Sequence, residues 1–244
     1  MKKICFVKYD MQVPGGGERV CANLANALSD KCEVHVVSIC SESDESFYHL
    51  DEVVNYRVLM HGSCRIREIF LKGVRLLKEY IKENDIDMVF AVGVSVNPFV
   101  MFAVKGTACK AISCEHGTCL GEFENDLSQR ICRRIGAHFA DMVLTVTPTD
   151  AEAYIEKYNL NPERVTSIYN WIDDSLLSEQ SSYNPSSKII LSASRIVPVK
   201  GIENMIEVSK RLKEEFPDWQ WRIYGDGDAE YVKTLQNEID KNDL

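Results

Sequence analysis

Arg195 and Lys200 stand between an apolar run, Ile189–Ser194, and a helical pattern, Ile202–Glu214, with Gly201 at the helix start. A strand-to-helix turn of this kind aims unpaired backbone N–H groups and the positive helix end at one point, where an anion can sit. Two full positive charges beside that point suit a diphosphate. Charge-assisted hydrogen bonds contribute roughly 1.5–3 kcal/mol each, which favours this reading over cations that merely face solvent. A second such turn, Gly225-Asp226-Gly227, follows the next apolar run, Trp219–Tyr224.

Pro14-Gly15-Gly16-Gly17-Glu18-Arg19 follows the first apolar run and opens the first helical pattern. Three glycines let the backbone approach a ligand closely and reach positive φ. Ligands of open α/β sheets gather at the carboxyl ends of strands, so the turn reads as a binding loop ahead of a plain flexible turn. It is neither a dinucleotide fingerprint nor a P-loop, because G-x-G-x-x-G and G-x-x-x-x-G-K-[ST] are both absent. Ser113-Cys114-Glu115-His116-Gly117 closes another apolar run. His116 there can donate to a sugar hydroxyl or meet a charged intermediate, and a structural or solvated histidine is an equal reading. His35, His49, His61 and His138 share no pattern and read as structural.

These residues need elements to hold them. Apolar runs at Lys3–Lys8, Glu33–Ile39, Asn55–Leu59, Met88–Val92, Lys110–Cys114, Met142–Thr147 and Val165–Tyr169 read as strands covered on both faces. Amphipathic helical patterns lie between them. Alternating β and α with short connections predicts an α/β fold with a doubly wound, mostly parallel, Rossmann-like sheet. The polar, turn-rich stretch Ser178–Ser187 reads as a linker, giving a first domain over residues 1–180 and the start of a second over 188–244. Two strands and two helices follow that linker. A two-stranded parallel sheet cannot cover the stripe of Tyr231, Val232, Leu235 and Ile239 on the last helix, so the second domain is expected to continue beyond Leu244.

Over its 244 residues the chain carries a net charge of −9, which argues against a nucleic-acid binder with its basic stripe, yet permits an anion in one local pocket. No secretory signal or membrane-spanning stretch is predicted. Nine cysteines without a C-x-x-C pair read as reduced thiols of a cytoplasmic protein. Cys114 and Cys119 flank His116, but no further pair completes a four-ligand set, so no metal is expected. Arg65, Arg67, Lys72, Arg75, Lys78 and Lys82 alternate with Glu68, Glu79 and Glu83 and read as a solvated helix face. With Arg130, Arg133 and Arg134, the other reading is weak peripheral contact with the inner face of a membrane.

Together these residues resemble the retaining nucleotide-sugar glycosyltransferases of family 4, which have the GT-B fold, over nearly the whole chain. Gly15–Gly17 with Glu18-Arg19 resembles that family's first-strand turn, and Ser113–His116 its "SEH" element on the acceptor side. Tyr169-Asn170-Trp171-Ile172-Asp173 resembles "N-G-I/V-D", with Trp171 in place of glycine. Ser194-Arg195-Ile196, Lys200-Gly201 and Tyr224-Gly225-Asp226-Gly227 resemble the donor-site pattern "G-R-L…K-G…G-x-G".

The resemblance implies two Rossmann-like domains, the second incomplete, and transfer of a sugar from a nucleotide-diphosphate donor to a glycan or lipid-linked acceptor in surface polysaccharide assembly. It implies His116, Arg195 and Lys200 as catalytic residues. Gly15, Gly16, Gly17, Arg195, Lys200, Gly225 and Gly227 would bind donor, and Glu18, Glu115 and His116 would lie on the acceptor side. No cofactor or metal is implied. The family's later pair of glutamates has no counterpart in this chain, so little or no turnover is expected from it alone. A non-catalytic binding protein that keeps the acceptor domain is the alternative, and a nucleotide-sugar epimerase of similar architecture lacks a matching residue set.

Overall fold

Strands apolar on both faces need helices above and below them, and a parallel sheet with crossover helices supplies that cover. The computed structural model describes residues 1–63, 65–120, 126–172, 182 and 184–244. They form two compact units, Met1–Trp171 and Ile172–Leu244. Half of the linker expected over Ser178–Ser187, together with Asp173, lies outside the described residues.

The first unit runs β1 (Lys2–Lys8), α1 (Gly16–Leu28), β2 (Cys32–Ser38), β3 (Asn55–Val58), α2 (Ile66–Glu83), β4 (Met88–Val92), α3 (Asn97–Val104), β5 (Lys110–Cys114), α4 (Leu127–Phe139), β6 (Met142–Thr145), α5 (Pro148–Tyr158) and β7 (Val165–Ser167). Its sheet has the order β3-β2-β1-β4-β5-β6-β7, and every pair is parallel. Successive strands step outward from β1 in one direction and from β4 in the other, the doubly wound arrangement.

Two buried clusters sandwich this sheet. Cys21, Ala22 and Ala25 of α1 pack with Ile4, Phe6, Val34 and Val36. Leu77 and Ile81 of α2 and Phe99 and Val100 of α3 pack with Cys5, Val7, Val37 and Ala91. Alternate residues of one strand therefore serve opposite layers. The expected strand Met142–Thr147 stops at Thr145 because Thr147 caps α5, its hydroxyl accepting the Asp150 amide at 3.1 Å. With β6 ended, β7 stops at Ser167, short of the expected Tyr169.

The second unit contains β8 (Ile189–Ala193), α6 (Ile202–Glu215), β9 (Gln220–Tyr224) and α7 (Ala229–Lys241). Among the described residues its sheet is the parallel pair β8-β9. Ile202, Ile206 and Leu235 form its buried centre.

Candidate functional site

The strand order reverses between β1 and β4, and such switch points are where open α/β sheets hold ligands. Lys8 ends β1 and is 9% exposed. Its Nζ meets Glu18 Oε1 at 2.6 Å. A Cβ on Gly17 would stand 3.0 Å from Lys8 Nζ, and one on Gly15 only 2.2 Å from Glu18 Oε2. Glycine at both positions thus makes room for the ion pair. Gly16 has nothing within 4 Å of its Cβ position and borders open space. Across the switch point, Gly93 adopts φ 97, and its Cβ position lies 3.7 Å from the same Lys8 Nζ. No side chain caps α1, so its first-turn N–H groups and positive end remain available to an anion.

Sequence reasoning missed Lys8. The signal was parity: Lys8 falls on the same side of β1 as Ile4 and Phe6, which pack against α1. A lysine at a core-facing position needs a buried partner.

The turn after β5 is held from three directions. Ser113 Oγ donates to Asn97 Oδ1 at 2.9 Å. A Cβ on Gly136 of α4 would stand 2.6 Å from Ser113 Oγ and 2.2 Å from Asn97 Nδ2, so glycine lets α4 seat against the strand end. The Glu115 N–H donates to the Leu144 carbonyl at 2.8 Å. Glu115, expected on the acceptor side, is 3% exposed. Its carboxylate accepts from Arg133 Nε at 2.6 Å, the Tyr154 hydroxyl at 2.5 Å and the Gly117 N–H at 2.9 Å. Sequence reasoning placed Arg133 in a surface cluster with Arg130 and Arg134. It is 3% exposed, on the α4 stripe that buries Gly136 and Ala137. An arginine in register with such small residues was the available signal.

His116 follows this carboxylate and is half-buried. Burial lowers its pKa below the ordinary 6.5, the Lys8 charge lowers it further, and Glu115 and Glu18 oppose both. A neutral imidazole at neutral pH can donate one hydrogen bond and accept another. Beside it lies a largely apolar cavity of about 350 Å³, lined among others by Phe6, Leu24, Phe90, Leu144 and Trp171. Burial pushes the Cys114 thiol up to about 12, which leaves it unreactive.

In the second unit the loop after β8 and the turn after β9 are bound together by backbone. The Ser194 N–H donates to the Tyr224 carbonyl at 3.0 Å and the Ile196 N–H to the Asp226 carbonyl at 2.8 Å. A Cβ on Gly225 would stand 1.8 Å from the Ser194 carbonyl oxygen, and one on Gly227 2.1 Å from that of Ile196. Both glycines are therefore required by backbone lying against backbone, and they bring the Arg195 loop to the strand ends. Lys200 leads into Gly201, whose φ of 63 starts α6 without a side-chain cap. Arg195 and Lys200 are exposed, and neither pairs with a carboxylate among the described residues. Among those residues no cluster of histidine, cysteine, aspartate or glutamate could hold a metal ion, and no helix is long and apolar enough to cross a membrane.

Comparison with known proteins covers both units. Residues 14–176 match the model described as Glycosyltransferase Family 4, and residues 173–244 that described as Glycosyl transferases group 1. A Haemophilus influenzae protein, described as an uncharacterized glycosyltransferase, is 28% identical over 249 residues, with 100% of this chain and 67% of that protein aligned. Among solved structures, Anabaena HepE in complex with UDP and glucose superposes with a TM-score of 0.73 at 19% identity, over 100% of this chain and 67% of its own. Sucrose-phosphate synthase from Thermosynechococcus elongatus gives 0.77 at 13% identity, over 100% and 68%. At those identities the likeness is one of fold, and it is GT-B.

Proposed function

The chain belongs to glycosyltransferase family 4, and from that premise we propose that it binds a nucleoside-diphosphate sugar and serves transfer of that sugar, with retention, to a glycan or lipid-linked acceptor. The observation that carries this reading is the pair Arg195 and Lys200, exposed and unmatched by carboxylate, on the loop that the Gly225–Gly227 turn locks to the strand ends. As the bond between the sugar and the diphosphate breaks, negative charge grows on the leaving oxygens. Fixed cations stabilise that charge more than they stabilise the intact donor, so no divalent metal is invoked. That HepE was crystallised with UDP and with UDP-glucose supports a nucleotide-sugar ligand here.

His116, which burial keeps neutral, is assigned to the reaction centre, where it donates to a sugar hydroxyl. Gly16 and the uncapped end of α1 offer backbone N–H groups to the ligand. We place the work in surface polysaccharide assembly on the cytoplasmic side, with weak contact between the membrane and the basic faces of α2 and α4.

Calorimetric titration with UDP-, GDP- and ADP-sugars tests the reading. One nucleotide class should bind, without dependence on added divalent cation. Loss of that binding in Arg195→Ala or Lys200→Ala, with Lys72→Ala unaffected, supports the site. Equal effects from all three substitutions would count against it.

A further inference from the structure

Glu115, Arg133 and Tyr154 form a buried ionic cluster for which the proposed reaction has no direct use. Each is nearly closed to solvent, at 3%, 3% and 1% exposed. Burying an ion pair confers little net stability, and apolar residues of similar volume commonly replace one without loss. What apolar side chains cannot replace is the remaining contact of the carboxylate: Glu115 Oε1 accepts the N–H of Gly117 at 2.9 Å. That bond spans His116. Residue 115 holds the amide of residue 117, so the backbone carrying the imidazole is clasped on both sides. The other oxygen, Oε2, takes Arg133 from α4 and the Tyr154 hydroxyl from α5. Gly117 itself leaves room, since a Cβ there would stand 3.3 Å from Glu115 Oε1.

We propose that Glu115, Arg133 and Tyr154 are positioning residues: two helices lock one carboxylate, and the carboxylate clasps the Gly117 amide and fixes His116 at the carboxyl end of β5. A histidine on an unclasped turn would sample several orientations, and a hydrogen bond to a reacting sugar requires one. The clasp also explains why α4 needs Gly136 against Ser113 and Asn97. Close seating of the helix brings Arg133 within 2.6 Å of its acceptor.

The proposal rests on the reading that His116 lines the reaction centre, and its test is chosen to fail separately from that reading. Tyr154→Phe removes one hydroxyl, keeps the ring and leaves every charge in place. In the full 244-residue chain, hydrogen exchange at the Gly117 amide should quicken by about tenfold, the size of one lost hydrogen bond. The His116 ring resonances should titrate with a moved midpoint, which simple loss of packing elsewhere would not produce. Arg133→Lys keeps the charge but loses the guanidinium geometry, and should change both readouts in the same direction. If both variants keep wild-type exchange at Gly117 and wild-type titration of His116, the clasp is wrong. Unchanged nucleotide-sugar binding by His116→Ala would remove the underlying reading instead, while exchange and titration still decide the clasp.

Discussion

In the first unit, charged groups near the strand ends are paired and shut away from water, as Lys8 with Glu18 and Glu115 with Arg133. In the second unit, Arg195 and Lys200 stand exposed with no carboxylate partner among the described residues. A buried charge must be matched inside the fold, so its partner is part of the structure before any ligand arrives. An exposed cation is solvated and carries no such obligation. It can give its charge to an incoming anion without first breaking a pair. The two units thus hold different kinds of electrostatics, one closed within the fold and one open to solvent.

The sharpest way to break this contrast is to strip one partner from the buried pair. Glu115→Leu removes the buried carboxylate that accepts from Arg133 and Tyr154 and should cost about 3–5 kcal/mol, measured by urea unfolding. Adding Arg133→Met should recover part of that loss, because the charge that faced Glu115 is removed with it. Strictly additive losses in the double variant would show that the two residues do not act as a pair.

In the second unit the matching substitutions should act on binding alone. Arg195→Ala or Lys200→Ala should weaken nucleotide-diphosphate affinity by about tenfold to a hundredfold, the equivalent of one charge-assisted hydrogen bond. Stability should stay within about 0.5 kcal/mol of the parent. A stability loss as large as that of Glu115→Leu would erase the distinction between the units. The glycine turn sits between these extremes. Gly225→Ala forces a Cβ into the Ser194 carbonyl and should cost about 1–3 kcal/mol through overpacking, with the Arg195 loop displaced and nucleotide affinity falling with it.

The smallest effect concerns pH. His116 titrates below its ordinary 6.5 in the folded chain because it is half-buried beside Lys8. As pH falls through about 6.5, the unfolded chain binds a proton on this residue that the folded chain resists, so stability declines toward acid. His116→Asn should remove that share of the decline, and thermal melts of both proteins between pH 7.5 and pH 5.5 compare them. Parallel curves would place His116 in solvent.

Much of this is legible in the sequence. Apolar runs broken by helical periodicity specify a parallel sheet with helices on both faces, because no other arrangement buries both sides of such strands. The turns at Gly15–Gly17, Ser113–Gly117 and Gly225–Gly227 were readable too, since glycine after an apolar run marks a strand end. Less visible were the partners. Lys8 and Glu18 are near in sequence, yet their pairing depends on how α1 leaves β1. Arg133 and Tyr154 reach Glu115 from helices that precede and follow β6.

The amino-acid order by itself determined the α/β alternation, the positions of the chemical turns and the family. Only the tertiary structure decided which of the charged side chains face solvent and which face each other. Local pattern sets the direction of a side chain within its own element, whereas a charge finds its counter-ion through contacts between elements far apart along the chain. Glu115 illustrates this most plainly: its neighbours in sequence mark a strand end, and its partners in space, Arg133 and Tyr154, come from two helices.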